Sequence, residues 1–204
     1  MEWALAHRSQ GSHSAIKGVM VQHTVQWLRA AGKDQAVLRC LEGEGRELFA
    51  SEVFAVEWIE LKTFGQIVNA VGQAYDLPTV HDAFHTATRT GTLPRLQPMI
   101  DSVVRLFGLA PATLFSRLDL FNKATVRGVS TRWIEESPKG GTLTLSYDHY
   151  TLPADASILR ALGTQAVQHA WAASFSTVFD VCQVRGTVEP ISASGNTLTY
   201  RARW

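Results

Sequence analysis

Two histidines spaced four residues apart give the sharpest chemical signal in this sequence. His81 and His85 would share one face of an α-helix, where together they could hold a metal ion. Asp82 stands where zinc metalloproteases place a Glu, but its side chain is one methylene shorter, and no third ligand follows at the spacing of that class. Two interpretations stay open: a metal-dependent enzyme that uses this pair, and two histidines on an ordinary amphipathic helix.

A second polar group lies where a predicted strand ends. Asp148, His149 and Tyr150 follow an alternating segment, and His169 belongs to the helix predicted to cover the sheet. These groups could do acid–base chemistry only beside a bound substrate or a nucleophile. The alternative is a strand end that simply turns polar.

Arginines on the last predicted strand form a third candidate. Arg201 and Arg203 alternate with apolar residues, and Arg185 lies on the predicted partner strand. They could mark an anion-binding or protein-binding patch, and they could equally be the solvated side of a sheet.

Composition and missing motifs exclude several classes of function. Nineteen Lys and Arg against eighteen Asp and Glu give a net charge of +1, so we expect no nucleic-acid partner. No apolar run reaches the roughly 18 to 20 residues of a membrane span, and no signal-peptide pattern opens the chain. The lack of such a run predicts that there is no membrane partner. We interpret Cys40 and Cys182 as reduced and buried, which predicts a cytoplasmic protein. The motifs of P-loop, Rossmann and α/β-hydrolase proteins are absent.

The spacing of apolar residues changes near residue 124, and this change predicts the fold class. Residues 1–15 have no period and are expected to form a flexible tail, followed by a single domain over residues 16–204. Residues 16–123 have mainly helical spacing, with the strongest pattern over residues 56–75, where Trp58 and Phe64 share a face.

From residue 124 onward the period is that of strands, with one helical interruption. Residues 125–137 pair with 142–150, a long helix spans 155–175, and residues 177–188 pair with 197–204. The predicted fold class is therefore α+β, a helical N-terminal half followed by an antiparallel sheet of two hairpins flanking one long helix (ββαββ). The helix should cover one face of the sheet.

Short motifs and the order of elements add a resemblance. The segment that begins Lys17, Gly18 and Val19, together with the closing residues 198–204, is similar to an uncharacterised family found chiefly in myxobacteria. The order of elements resembles that of the haem–nitric-oxide-binding domain and its small-ligand-binding and trafficking-complex relatives. The resemblance covers residues 16–204 and implies a sensory or adaptor role.

The residues that would bind haem do not follow that family's pattern. The family carries a Tyr-x-Ser-x-Arg motif, which Tyr147 matches, whereas His149 replaces the Ser and Thr151 replaces the Arg. Residues 115–123, where the proximal histidine is expected, contain no histidine. Iron would lack its axial ligand and the propionates their cationic partner, so we predict that haem is not bound and that no cofactor is required.

These observations favour a non-enzymatic sensory or adaptor domain that binds a partner protein or a small apolar ligand. Tyr147, His149, His169, Arg201 and Arg203 are the predicted contact residues. An exposed terminal strand also suits self-association, so a homodimer is expected. The alternative is the metal-dependent enzyme that uses His81 and His85.

Overall fold

The computed structural model describes residues 14–148 and 160–204. The helices are α1 (Gly18–Ala30), α2 (Asp34–Cys40), α3 (Gly43–Ala50), α4 (Leu61–Ala74), α5 (Leu77–Ala87), α6 (Leu93–Phe107), α7 (Pro111–Phe115), α8 (Leu118–Thr125) and α9 (Gln165–Cys182), with a π-helical segment (Thr88–Thr92) between α5 and α6. The strands are β1 (Ala15–Lys17), β2 (Trp58–Glu60), β3 (Val126–Arg127), β4 (Val129–Ser137), β5 (Gly140–Tyr147), β6 (Thr187–Ser194) and β7 (Thr197–Arg203). The predicted α+β class, with a helical half followed by an antiparallel sheet, is confirmed.

A small sheet of three strands begins the described chain. Its order is β2-β1-β3, and both pairings are antiparallel. Ser14 and Ala15, which we assigned to the tail, are buried, and Ala15 pairs with Glu60 of β2 and Arg127 of β3. The rest of the predicted tail, residues 1–13, lies outside the described residues.

The second sheet has the order β4-β5-β7-β6, with every pairing antiparallel. Alternate side chains along the inner strands β5 and β7 are buried, as predicted; they include Leu143, Leu145, Leu198 and Tyr200. The C-terminal strand β7 is an inner strand, so the terminal edge strand on which we based the homodimer does not exist. The edge strands β4 and β6 both contain a register shift, which makes an edge less suited to pairing with another chain.

Helix α9 is displaced relative to the predicted helix. Residues 160–162 are helical, as predicted, but the helix is interrupted at 163–164. Helix α9 then begins at Gln165 because the Thr164 hydroxyl caps it by accepting the N–H of Val167 at 3.3 Å. Residues 149–159 lie outside the described residues. At the other end, the predicted strand at 177–188 is wrong over most of its length, because residues 177–182 continue the helix. Only Thr187 and Val188 are in a strand, the start of β6, which pairs with β7 as the predicted hairpin required. Gln183 then ends it in a left-handed conformation, with φ of 54°.

The strongest predicted helix in the N-terminal half also begins later than expected. Trp58 belongs to β2, opposite Lys17 of β1, and α4 starts at Leu61. The Lys17 Nζ and the Arg127 guanidinium lie 4.0 Å and 3.9 Å from the centre of the Trp58 ring. Trp58 therefore helps to join the small sheet through cation–π contacts, and it is not part of the helix face that we predicted.

Aromatic contacts hold α9 against the second sheet. The Phe175 ring packs edge-on against Tyr200 of β7 at 5.4 Å, and Phe179 lies 6.2 Å from Trp204. The indole N–H of Trp171 donates to the Tyr147 hydroxyl of β5 at 3.1 Å. This side of α9 is a packed core, so no ligand cavity separates the helix from the sheet at these contacts.

The two cysteines differ in exposure. Cys182 is buried, and burial raises the pKa of its thiol to about 11. Cys40 is exposed, which corrects the prediction that both are buried, and both thiols are free.

Among the described residues, no helix has the length and apolar character needed to cross a bilayer.

The aromatic contacts of α9 predict a large difference between two truncations. Phe179→Ala removes a side chain that is 4% exposed, and it should lower the free energy of unfolding by about 3–5 kcal/mol because a cavity is left in the core. The control Leu106→Ala removes a side chain that is 73% exposed and should change it by less than about 0.5 kcal/mol. Urea denaturation measures both, and equal effects would contradict this description of the core.

Candidate functional site

A mostly apolar cavity of about 80 Å³ lies on the side of α9 that faces the helical half. Helix α9 contributes one wall, and the others come from β1, α1, the π-helical segment, α6, α7, α8 and β3. The lining residues are Ile16, Lys17, Val19, Met20, Thr88, Thr92, Leu93, Leu96, Ile100, Leu114, Leu118, Phe121, Asn122, Thr125, Val126, Trp171, Ser174, Phe175, Thr177, Val178 and Val181. The cavity is thus located where the two halves of the domain meet.

Two hydroxyl groups meet at the wall of this cavity. The Thr88 and Ser174 oxygens lie 2.9 Å apart, although the residues are 86 positions apart in sequence. The Thr88 hydroxyl also lies 2.8 Å from the Phe84 carbonyl oxygen, and that of Ser174 lies 3.1 Å from the Ala170 carbonyl oxygen. The pair is a small polar site in a surface that is otherwise largely aliphatic and aromatic.

The π-helical segment places Thr88 and Thr92 at the cavity. Such segments are rare, and they often occur at functional sites. Gly91 within it allows close packing on α1, because an added Cβ would lie 2.7 Å from the His23 ring. No motif or spacing in the sequence indicates that residues 88–92 continue the helix and line a cavity.

A smaller cavity of about 20 Å³ adjoins the first. Ile16, Met20, Trp171 and Ser174 border both. The thioether of Met20 lies 3.9 Å from the Thr88 hydroxyl. Because a methionine side chain is flexible, rotation of Met20 can change how the volume is divided between the two cavities.

Tyr147 does not reach the cavity. Its hydroxyl donates to the Leu162 carbonyl at 3.3 Å and accepts the Trp171 indole N–H, and burial raises its pKa far above the ordinary value. The side chain therefore joins β5 to α9. His149 lies outside the described residues, so its predicted contact stays a prediction.

Arg201 and Arg203 are exposed, as expected for the solvated side of β7. Their strand neighbours are Thr142 and Gly140 of β5, with Glu189 and Thr187 of β6 on the other side. Arg185 is not on a partner strand, because it lies in the connection between α9 and β6. The three-arginine patch that we predicted from strand pairing therefore does not form in that register.

The predicted metal-binding pair lies on α5, as the spacing requires. The rings of His81 and His85 are stacked, with centroids 5.7 Å apart. His85 Nε2 lies 3.0 Å from an Asp180 carboxylate oxygen of α9. Within residues 14–148 and 160–204, no group of three or more His, Cys, Asp or Glu side chains is placed to hold a metal ion. The metal-enzyme hypothesis lacks the third ligand that it needs among these residues.

His169 on α9 lies near this pair. Its pKa is lowered from 6.5 by burial and by positive charge on His81. The neutral imidazole is therefore the form that the folded state prefers. The contribution of His169 to the free energy of unfolding is fully present above the pKa that its imidazole has in the unfolded chain. This contribution is lost as the pH falls through the lower pKa of the folded state.

We expect NMR titration of His169 to give a midpoint below 6.5, and to give a higher midpoint in His81→Gln, which removes the neighbouring charge. The protein unfolded in urea is the control and should titrate near 6.5. A folded midpoint at or above the unfolded one would contradict the burial of this imidazole.

The comparisons with known proteins identify the fold. No family model and no curated protein matches the sequence. A structure from work on haem distortion in the H-NOX family has a TM-score of 0.57 and 12% identity, covering 93% of this chain and 95% of that one. An Fe(II) unliganded H-NOX protein from K. algicida has a TM-score of 0.59 and 9% identity, with 92% and 96% covered. The chain has the H-NOX fold. The resemblance to the myxobacterial family stays a prediction.

The residues at the cavity do not fit haem, the group that this fold implies. Among the described lining residues none is a His, Cys or Tyr, and Met20 supplies a thioether without the histidine that accompanies it in cytochromes. Lys17 is the cation in the lining, and its Nζ donates to the Val56 carbonyl at 2.9 Å. The volume of about 80 Å³ is also well below the roughly 300 Å³ at which sites for larger ligands begin.

Proposed function

We propose that this protein is a non-enzymatic sensory domain that binds a small apolar ligand in the cavity between α9 and the helical half. The cavity is the observation that carries the proposal. Support comes from its lining, since apolar side chains such as Leu96, Ile100 and Phe121 favour an uncharged ligand. The described residues near His81 and His85 supply no third metal ligand, so the proposal involves no metal chemistry.

The volume limits the ligand to a small molecule. An engineered cavity of about 150 Å³ lined by apolar residues takes up benzene or xenon. A cavity of about 80 Å³ has roughly half that volume, which suits a molecule of about three or four heavy atoms. Rotation of Met20 toward the adjoining cavity of about 20 Å³ would add a little space.

The position of the cavity suits a sensor. Trp171 and Phe175 face it, and the same residues contact the second sheet through Tyr147 and Tyr200. A ligand that changes the packing of these rings would also change how α9 lies on the sheet. The helical half and the ββαββ half are thereby coupled through one helix.

Xenon is a direct probe of the cavity. Under xenon pressure, methyl resonances of Val19, Leu96 and Ile100 should shift in a saturable way, because xenon enters apolar cavities of this kind. Val178→Phe should fill the space and abolish the shifts. Val184→Phe, a substitution at a residue 40% exposed just after α9, should leave them unchanged. Absence of shifts in the unsubstituted protein would overturn the proposal.

Haem uptake tests the difference from the structural neighbours. Hemin added at one equivalent should give no sharp Soret band, because the described cavity offers neither a histidine nor enough volume. The filled variant Val178→Phe is the control and should give the same spectrum. A sharp band that is lost in this variant would show haem in the cavity and would refute our interpretation.

A protein partner is a second proposal. Leu106 and Phe107 end α6, and Leu109 lies two residues beyond it; their side chains are 73%, 56% and 51% exposed. Clusters of exposed apolar side chains often mark protein-binding surfaces. An adaptor role, a homodimer and a cytoplasmic location remain proposals from the sequence, and solution scattering distinguishes dimer from monomer.

A further inference from the structure

We propose that the cavity selects a small neutral hydrogen-bond donor, such as a short aliphatic alcohol, whose hydroxyl donates to the Thr88–Ser174 pair. This inference rests on the proposed function, because it names the class of ligand for the same cavity. The observation that supports it is the number of hydrogen-bond protons and acceptor lone pairs at the Thr88 and Ser174 hydroxyls.

The protons of both hydroxyls are used within the protein. One proton must lie between the Thr88 and Ser174 oxygens, which are 2.9 Å apart, because two lone pairs facing each other would repel. If Thr88 donates to Ser174, the Ser174 proton goes to the Ala170 carbonyl oxygen at 3.1 Å. If Ser174 donates to Thr88, the Thr88 proton goes to the Phe84 carbonyl oxygen at 2.8 Å.

Either arrangement leaves acceptor capacity unused. A hydroxyl oxygen has two acceptor lone pairs, and the contact within the pair occupies one lone pair on one of the two oxygens. Lone pairs therefore remain on both Thr88 and Ser174, and both residues line the cavity. The sulfur of Met20, 3.9 Å from the Thr88 oxygen, is a weak acceptor and does not supply a strong donor.

The rest of the lining selects against a cationic ligand. A protonated amine would also donate, but the apolar wall gives it no carboxylate partner, and burial of an unpaired charge is costly. A ketone of the same size fits the volume but has only an acceptor to offer. The alkyl part of an alcohol can pack against Leu96, Ile100 and Phe121. Burial of this apolar surface makes the binding free energy of an alcohol more favourable than that of a water molecule.

The matched pair 2-propanol and acetone tests this inference. The two molecules have the same heavy-atom count and nearly the same shape, but acetone cannot donate. NMR titration with detection of ligand contacts to the Met20 methyl should give a dissociation constant for 2-propanol about fivefold lower, the factor that one net hydrogen bond supplies.

Two variants locate the effect at the hydroxyl pair. Thr88→Val and Ser174→Ala, combined, should make the two dissociation constants equal. Thr90→Val is the matched control, since Thr90 is on the same π-helical segment but exposed, and it should keep the difference. Circular dichroism and the NMR spectrum check that each variant is folded, and the comparison in the unsubstituted protein needs no variant.

The outcomes separate this inference from the proposed function. Equal affinities for the two molecules, with saturable xenon shifts retained, would overturn the preference for a donor and leave the cavity proposal in place. No saturable binding of xenon, 2-propanol or acetone would overturn both. A preference for 2-propanol that persists in the double variant would also overturn the inference, because the hydroxyl pair would not be its cause.

Discussion

Burial of helix α9 on two opposite sides is the constraint on which this structure depends. One side packs on the second sheet through Phe175 and Phe179, and the other faces the helical half through residues such as Val178. A helix in this position must be apolar around most of its circumference. It contacts elements of both halves, so a change in its packing affects both.

The same constraint explains which parts of the fold could be predicted. Strands β5 and β7 bury one face only, so Leu143, Leu145 and Tyr200 alternate with polar residues and their faces were predicted correctly. Residues 177–182 are apolar on more than one side because α9 is buried on two sides, and this sequence mimics strand alternation. Thr177 remains compatible with the helix because its hydroxyl donates to the Ser174 carbonyl at 2.6 Å.

The candidate site was beyond the reach of sequence patterns for a different reason. Its walls come from segments as distant as Ile16, Thr88, Phe121 and Ser174, and none of these residues belongs to a recognisable catalytic motif. The sequence analysis instead selected His81 and His85 for their spacing and Tyr147 for its match to a motif. Tyr147 matches one position of a haem-binding motif, yet its hydroxyl serves the contact between β5 and α9.

A cavity between α9 and the helical half lowers the free energy of unfolding. At about 24 cal/mol per Å³, a cavity of about 80 Å³ would cost about 2 kcal/mol of stability if nothing filled it, a sizeable part of the margin that keeps a domain folded. A bound ligand recovers part of this energy, and it does so only in conformations that keep the cavity. A ligand could shift the equilibrium between two packings of α9 only by the difference in its affinity for them.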